Sequence, residues 1–298
     1  MSPEDKHKHY KKKRETNMEN WREVLNKMWD MDNREILIAS HRGKFSSSVM
    51  ENTTLAFLLA IGEGAHMVEM DLAKTKDGRI VAHHDNDMTR LFHTAETIEE
   101  KTLEELEAMP LYNYLGEICV ERLETFDEIL DGLKDKTVLV LDKCWDCWDE
   151  VYELLVKKDM VEQTIFKFYL RDEKPLLWAR EHKDCMFIPM WKEIELLDRL
   201  ADLKTAAKVP AVEITPKKVT DDVFRPETFK WLKDRHMKVW CNSLSLAKRL
   251  VYGAGFDDLK SLYHGGDAGW GELIKQGVDI IQTDWPYELK CYLETRKS

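Results

Sequence analysis

The sequence predicts an α/β fold, a (β/α)8 TIM barrel with a hairpin arm and a short helical insertion after the second strand. Two observations support this prediction: eight short apolar segments have the length of strands, and plausible helices fill most of the intervals between them. Strands that alternate with crossover helices are typical of a closed parallel barrel, and 298 residues is an ordinary length for one. The alternative is a doubly wound open sheet. The predicted strands are 36–41, 66–72, 137–142, 163–168, 185–190, 210–215, 237–242 and 278–284.

Ahead of the first strand, residues 1–34 are predicted to form an N-terminal tail and one helix. The tail contains a basic run from Lys6 to Arg14, of the kind that is usually solvated, and we assign it no function. Residues 17–30 carry apolar side chains at helical spacing, and this helix either plugs the bottom of the barrel or packs on its side. The apolar stripe consists of Met18, Trp21, Val24, Leu25 and Met28.

Residues 35–298 are predicted to form the barrel domain. The helix predicted over 53–61 has Leu55, Leu58 and Leu59 on one face and ends before the glycine pair that follows. A ninth strand-like segment, 79–84, is separated from the second strand only by the turn TKDG. A parallel crossover needs a dozen residues or more, so these two strands form a hairpin whose second arm returns toward the barrel mouth.

Residues 88–135 are predicted to form a mostly helical excursion before the third barrel strand. The chain has no internal repeat and no linker that would divide it into two domains.

Composition and charge exclude several classes of protein. Acidic residues outnumber basic ones by 56 to 45, which argues against binding of nucleic acid through bulk charge. No segment approaches the roughly 18 apolar residues of a membrane span, and no signal peptide is evident, so the prediction is a cytoplasmic protein. The six cysteines are scattered, which indicates free thiols. Cys144 and Cys147 form a CxxC that is interpreted as packed thiols, with a redox motif as the alternative.

Two carboxylates in the second strand are candidate metal ligands. Glu69 and Asp71 are two residues apart in a strand and therefore point to the same face. If that face is the barrel interior, the two charges require a cation, and carboxylate oxygens suit Mg²⁺ or Ca²⁺. If it faces outward, both are solvated, and the motif alone leaves these alternatives equal. Asp142, at the end of its strand, is either a third ligand or the N-cap of the next helix.

Two histidines at strand ends are candidates for proton transfer. His41 ends the first strand and His84 ends the hairpin arm, so both are expected near the barrel mouth. Such a pair suggests a general acid and a general base. Arg42, next to His41, has the fork of N–H donors that holds a phosphate.

The segment from residue 41 to residue 85 resembles the signature of the glycerophosphodiester phosphodiesterase family. It contains His-Arg-Gly, then Glu-Asn-Thr, then Glu-x-Asp, a Thr-Lys-Asp-Gly turn and a final His-Asp, in the family's order. The last strand ends in Thr-Asp-x-Pro, as in the family, and RLETFDEIL resembles the family segment before the third barrel strand. The resemblance therefore covers about residues 36–287.

The resemblance implies a barrel, a divalent metal and hydrolysis of glycerophosphodiesters. It also implies roles residue by residue: His41 and His84 as acid and base, Arg42 on the phosphate, and Glu69 and Asp71 on the metal. The Glu-Asn pair, residues 51 and 52, would shape the mouth of the site.

The chain departs from the family pattern at the third strand. The family commonly has Glu-x-Lys there, whereas this chain has Asp142 followed directly by Lys143. The lysine that faces the phosphate is therefore expected to be Lys167 on the next strand, with a structural lysine as the alternative. Glu213 and Asn242 end later strands and would contact substrate hydroxyls, unless they serve as caps and loop contacts.

Aromatic side chains are concentrated near the predicted strand ends. They would wall a pocket and hold a cationic headgroup by cation–π contact, or else pack between loops and helices. They are Trp145, Trp148, Tyr169, Trp191 and Trp285, with Trp240 inside its strand.

The predicted function is metal-dependent hydrolysis of glycerophosphodiesters to glycerol 3-phosphate and an alcohol, by two-histidine acid–base catalysis. One alternative is a phospholipase D-type barrel enzyme that acts on lysophospholipids. The other is a non-catalytic module that binds glycerophosphodiesters. The expected partner is a small-molecule substrate, with no nucleic acid and no membrane span, and the sequence gives no prediction of oligomeric state.

Overall fold

Nine strands form the centre of the computed structural model, which describes residues 20–247 and 250–296. Eight of them are parallel and lie in the order β1-β9-β8-β7-β6-β5-β4-β2, and pairing of β1 with β2 closes the barrel. The predicted TIM barrel is confirmed, and the open sheet is excluded. The strands are β1 (Leu37–His41), β2 (Met67–Lys74), β3 (Ile80–Ala82), β4 (Val138–Asp142), β5 (Thr164–Tyr169), β6 (Met186–Trp191), β7 (Ala211–Ile214), β8 (Lys238–Asn242) and β9 (Ile280–Thr283).

Helices follow the barrel strands on the outside. Strands that are covered on both faces are expected to be nearly continuous apolar runs, as β4 is. The helices are α1 (Trp21–Trp29), α2 (Thr54–Glu63), α3 (Thr89–Phe92), α4 (Leu103–Glu107), α5 (Phe126–Leu133), α6 (Trp148–Lys158), α7 (Glu173–Glu181), α8 (Leu197–Ala206), α9 (Pro226–Lys233), α10 (Asp258–His264), α11 (Trp270–Gln276) and α12 (Pro286–Thr295). No helix within the described ranges is long and apolar enough to cross a membrane.

Helix α1 plugs the amino-terminal end of the barrel. Its N-cap, Asn20, forms a capping box with Glu23, which fixes where the helix begins. The apolar side of α1 is buried in one cluster with inward-facing residues of the strands, so the plug is the correct choice between the two predicted placements. Met18 and the basic tail lie outside the described residues. The buried side chains of α1 are Trp21, Val24, Leu25 and Met28.

Helix α2 forms where the sequence predicts it, but it buries a different face. Its N-cap is Thr53, and Gly64 ends it at φ 104°, a left-handed conformation that favours glycine. The leucines at positions 55 and 58 are exposed, and the face against the barrel consists of Phe57 with small residues that let the helix approach the sheet closely. The three leucines share one face as predicted, but that face points away from the barrel. The buried residues are Ala56, Phe57, Ala60 and Ile61.

The hairpin arm is present as predicted. Strand β3 pairs antiparallel with the end of β2, and it carries the chain back toward the carboxyl ends of the barrel strands. The excursion over residues 88–135 is helical near its two ends and irregular between α4 and α5. It packs around a small apolar cluster of its own, separate from the barrel core. That cluster contains Met50, Val81, Met88, Leu91, Phe92, Ile98, Leu106, Leu111 and Leu123.

Candidate active site

Three carboxylates converge inside the carboxyl end of the barrel. Asp71 on β2 is in register with Asp142 at the end of β4, and Glu69 lies one inward position below. Each offers an oxygen within 4.8 Å of the others. Glu69 and Asp71 are each only 2% exposed, so the solvent-facing alternative for this pair is excluded.

The carboxylates of this cluster repel one another, although Arg42 and Lys167 lie beside two of them. Burial and the neighbouring Asp71 and Asp142 raise the pKa of Glu69 well above its usual value. Burial also raises the pKa of Asp71, but the charges of Arg42, His84 and His41 outweigh it, and the net shift is downward. Crowded hard oxygen donors of this kind fit Mg²⁺ or Ca²⁺, which would offset the repulsion.

Arg42 is held beside the carboxylate cluster, and its buried Nε is not hydrogen-bonded there to any described residue. Its backbone is left-handed at φ 55°, and Asn52 donates to its carbonyl oxygen at 3.0 Å. Nη1 donates to Oε1 of Glu51 at 3.1 Å. Nε lies 3.2 Å from Oδ2 of Asp71, yet it is buried and makes no hydrogen bond within the described part of the chain. A buried, unsatisfied guanidinium N–H is suited to a phosphate oxygen.

Glu51 anchors the mouth of the site. Two nitrogens of Arg90 donate to it at 2.6 and 2.9 Å, and the Tyr114 hydroxyl is also hydrogen-bonded to it. Burial raises the pKa of Glu51, but the bonds from Arg90 and the charge of Arg42 prevail and lower it to about 2. Glu51 therefore stays ionised and fixes Arg42 from the side opposite Asp71.

Each of the two histidines is oriented by a carboxylate. Nδ1 of His41 is 2.8 Å from Oδ1 of Asp284, and Nδ1 of His84 is 2.7 Å from Oδ1 of Asp85. Arg90 in turn donates to the second oxygen of Asp85 at 2.7 Å. With Nδ1 engaged in this way, Nε2 is the ring nitrogen of each histidine that remains for proton transfer.

Lys167 crosses the interior of the barrel. Its Nζ lies 2.6 Å from Oε2 of Glu213 and 3.3 Å from Oδ2 of Asp142, and the side chain is 2% exposed. Burial alone would lower the pKa of Lys167, but the charges of Glu213, Asp142 and Glu69 raise it above its usual value. Lys167 is therefore a permanent cation between the carboxylate cluster and the far wall.

Three of the predicted substrate contacts lie deep in the barrel. Asn242 donates to Oε1 of Glu213 at 3.0 Å. The indole N–H of Trp240 lies 2.9 Å from Oδ1 of Asn242 and 3.2 Å from Oε1 of Gln282. Trp240 is completely buried, with Lys167 above its ring at 5.5 Å, so it supports the floor of the site from below.

Lys143 and Trp145 line a side cavity next to His84. Lys143 has a left-handed backbone at φ 58°, and its N–H donates to Oδ1 of Asp142 at 2.7 Å. This turn separates its side chain from that of Asp142, and no ion pair forms on Lys143 within residues 20–247 and 250–296. The cavity has a volume of about 340 Å³. Of the other predicted aromatics, Trp148 and Trp191 are buried in the outer core.

Several site residues were not singled out from the sequence. Asp85 and Asp284 were visible only as parts of the family motifs, and Arg90 had no signal because it lies in the short helix α3, where no motif marks it. Tyr252 is half-buried where the charges of Glu213, Arg42 and Lys167 act on it, and burial raises its pKa. A tyrosine in a loop after a strand carries no pattern that would distinguish it.

Residues 41–252 match the model of the glycerophosphoryl diester phosphodiesterase family. This range covers more than half of the chain and contains the three-carboxylate cluster and both histidines, whereas Asp284 lies beyond it.

The chain belongs to the glycerophosphoryl diester phosphodiesterase family.

Curated relatives match over shorter segments. The glycerophosphodiester phosphodiesterase of Caldanaerobacter subterraneus is 36% identical over 105 residues, which are 35% of this chain and 43% of that protein. The enzyme of the same name from Bacillus altitudinis is 27% identical over 163 residues, which are 53% of this chain and 64% of that protein. The chain thus spans less than half of the first of these relatives and under two thirds of the second.

Solved structures confirm the fold over nearly the full length. A glycerophosphoryl diester phosphodiesterase from Parabacteroides distasonis superposes with a TM-score of 0.74 at 21% identity, covering 94% of this chain and 93% of that one. A phosphodiesterase from Oleispira antarctica, solved in complex with the product sn-glycerol-3-phosphate, has a TM-score of 0.63 at 19% identity, covering 87% and 96%. At these identities the likeness establishes the barrel.

Proposed function

We propose that this protein hydrolyses glycerophosphodiesters to glycerol 3-phosphate and an alcohol. The observation that supports this most directly is the carboxylate cluster flanked by two carboxylate-oriented histidines and an arginine with an unsatisfied N–H. The family membership and the activity named for its relatives agree with it. We take residues 35–298 as the catalytic domain, with α1 of the 1–34 segment as its plug.

Glu69, Asp71 and Asp142 would hold the divalent metal, Mg²⁺ or Ca²⁺. When bound, such an ion withdraws charge from a phosphoryl oxygen and stabilises the negative charge that develops there. Arg42 would bind a second phosphate oxygen through the N–H of Nε. Lys167 supplies a fixed positive charge below the phosphate. Glu213 would accept hydrogen bonds from the glycerol hydroxyls, and Asn242 would donate to them.

The two histidines have distinct positions with respect to the substrate. His84 lines the side cavity, which has room for the alcohol part of the substrate. We therefore assign His84 as the general acid that gives a proton to the leaving alkoxide. His41 accepts the proton of the nucleophile, which is water or the neighbouring glycerol hydroxyl; in the second case a cyclic phosphate forms first and water then opens it to glycerol 3-phosphate. Asp85 and Asp284 keep the Nε2 atoms of the two rings aimed at the phosphate.

A second candidate is the hydrolysis of lysophospholipids by the same residues. The observation that favours it is an apolar rim on the excursion: Leu115 is 72% exposed and Ile118 is 65% exposed. Leu115 directly follows Tyr114, which is hydrogen-bonded to Glu51 at the mouth, and Ile118 forms a β-bridge with Tyr112 in the same turn. An acyl chain that cannot enter the barrel would contact such side chains.

A turnover screen tests the proposal. The full chain, first treated with chelator and then supplied with Mg²⁺ or Ca²⁺, is offered glycerophosphocholine, glycerophosphoethanolamine, glycerophosphoinositol and lysophosphatidylcholine. Release of glycerol 3-phosphate from the first three supports the proposed function. Turnover of the lysolipid alone supports the second candidate. If the protein binds these compounds but turns over none of them, the non-catalytic module is indicated. Glu69→Gln is the control that should be inactive with every substrate.

A further inference from the structure

A buried carboxylate lies directly behind the pair formed by Asp284 and His41. Asp258 is the first residue of α10 and is completely excluded from solvent. Its Oδ2 accepts a hydrogen bond from the backbone N–H of Asp284 at 3.1 Å. Since the side chain of Asp284 contacts Nδ1 of His41, only one residue separates Asp258 from the imidazole.

Three more donors converge on the other oxygen of Asp258. Oδ1 is 2.6 Å from the Ser243 hydroxyl, 2.8 Å from Nε1 of Trp270 and 2.8 Å from the Thr283 hydroxyl. The Thr283 oxygen accepts from the N–H of Trp285, so its own hydrogen is available to Asp258. These donors belong to β9, to α11 and to the segment after β8. One carboxylate therefore connects three elements to the backbone that carries Asp284.

The fold of α10 does not by itself require this carboxylate. The N-cap of α10 is the preceding residue, Asp257, whose side chain accepts from the N–H of Lys260 at 2.9 Å. Burying a carboxylate is costly unless it accepts hydrogen bonds, and four donors contact Asp258, of which the Ser243 hydroxyl is also 3.1 Å from the carbonyl oxygen of Gln282. The arrangement fixes the position of residues 283–285, which follow the last barrel strand.

We propose that Asp258 is a positioning residue that holds Asp284 in place and thereby sets the orientation and tautomer of His41. The proposal rests on the proposed function, because it gives His41 a proton-transfer role. With Asp284 fixed, Nδ1 of His41 carries the hydrogen and Nε2 presents a lone pair to the proton of the nucleophile. No contact between Asp258 and substrate is required.

The sharpest test is Asp258→Asn in the full chain. The variant keeps the shape of the side chain but turns one oxygen into an NH₂ group that must face a donor. Histidines are labelled with ¹⁵N, and His41→Asn assigns the His41 signals. The wild type should give the Nδ1–H tautomer at His41, and Asp258→Asn should give a mixture. Burial raises the pKa of Asp258 to about 7, so the spectra are recorded at about pH 8.

Kinetics of the same variant separate positioning from binding. The kcat of Asp258→Asn should fall by about 10- to 100-fold, the range in which residues that orient a functional side chain act. Its KM should stay within about twofold, because the lost interaction acts on proton transfer. Asp267→Asn is the matched control: it makes the same charge change between α10 and α11, but Asp267 is bonded to Tyr292.

The control should keep the wild-type tautomer and kinetics. An unchanged tautomer with kcat within about twofold of wild type in Asp258→Asn would overturn the proposal. If Asp258→Asn does not fold, Thr283→Val removes one of its donors and should shift the tautomer in the same direction, and no shift would overturn it. If the wild type turns over no glycerophosphodiester, the proposed function fails, and the tautomer measurement alone decides the role of Asp258.

Discussion

Lys167 and Glu213 form an ion pair at 2.6 Å with both side chains only 2% exposed. The pair spans the barrel from β5 to β7, and Lys167 also lies 3.3 Å from Asp142 in the carboxylate cluster. The same ammonium group therefore balances the floor of the site and one of the proposed metal ligands. Its removal would leave two buried carboxylates with less compensation.

Lys167→Met should lower the free energy of unfolding by about 3–5 kcal/mol, the usual effect of removing one partner of a buried ion pair. The exposed pair of Lys74 and Glu150, at 2.9 Å, is the control, and Lys74→Met should cost at most about 1 kcal/mol. Urea denaturation with the slope and midpoint both fitted measures this. Equal losses in the two variants would contradict the buried-pair argument.

Removal of the metal should stop turnover without unfolding the chain. The barrel core consists of apolar side chains on both faces of the strands, and it does not depend on an ion. Added Mg²⁺ or Ca²⁺ should restore activity, since hard cations suit carboxylate oxygens. Asp142→Asn should weaken the metal affinity, as measured by calorimetric titration of the metal-free protein.

Cys144→Ser and Cys147→Ser provide the control for this prediction. Both thiols are free and buried, and burial raises the pKa of Cys147 to about 12, so neither readily supplies a thiolate ligand. Both variants should bind the metal normally. Full activity after metal removal, or loss of the metal in the cysteine variants, would show that the carboxylate cluster is not the catalytic metal site.

His41→Ala and His84→Ala should each reduce kcat by about 10²- to 10⁴-fold, the contribution expected of a general acid or base. The fold should persist because neither ring is part of an apolar cluster. The wild-type rate should follow a bell-shaped pH profile, because one ring must be neutral while the other is charged. Circular dichroism checks the fold, and near-normal turnover in either variant would refute the two-histidine assignment.

Glu51 should make the free energy of unfolding depend on pH, at pH values below the pKa that this side chain has in the unfolded chain. Its pKa in the folded protein is about 2 against 4.5 for the free side chain, so the folded state binds the proton more weakly. This contribution, about 3 kcal/mol, is present above pH 4.5 and is lost as the pH falls toward 2. Glu51→Gln should show a shallower loss of stability over this range in urea titrations. Glu99→Gln, in an exposed turn, should match the wild type.

The sequence predicted the barrel because each strand is covered on both faces and is therefore a short apolar run. All eight parallel strands occur within a few residues of their predicted positions. Helix faces were harder to predict, as α2 illustrates. Its leucines at positions 55 and 58 match the apolar pattern but are exposed, while Ala56 and Ala60 face the sheet because small side chains permit close packing.

Site residues could be predicted where their spacing along a strand determines the direction of their side chains. Glu69 and Asp71 had to share a face of β2, and only the choice of face needed the structure. The partners of the histidines depend on long-range contacts instead. Asp284 meets His41 because β9 lies beside β1, a neighbour relation that closes the barrel and that no local pattern encodes.

If the proposed function is correct, the lining of the side cavity predicts which alcohol group is preferred. Lys143 lines this cavity next to His84 and has no ion-pair partner within the described ranges. An alcohol with a carboxylate, as in glycerophosphoserine, should gain more from this cation than the choline group does, although Asp85, Glu99 and Asp146 also line the cavity. Lys143→Met should therefore lower the ratio of kcat/KM for glycerophosphoserine over glycerophosphocholine by about 5- to 10-fold, equivalent to about 1 kcal/mol. Lys157→Met, on the outer surface of α6 with its side chain 70% exposed, is the control and should leave the ratio unchanged. An unchanged ratio in Lys143→Met would mean that the alcohol does not occupy this cavity.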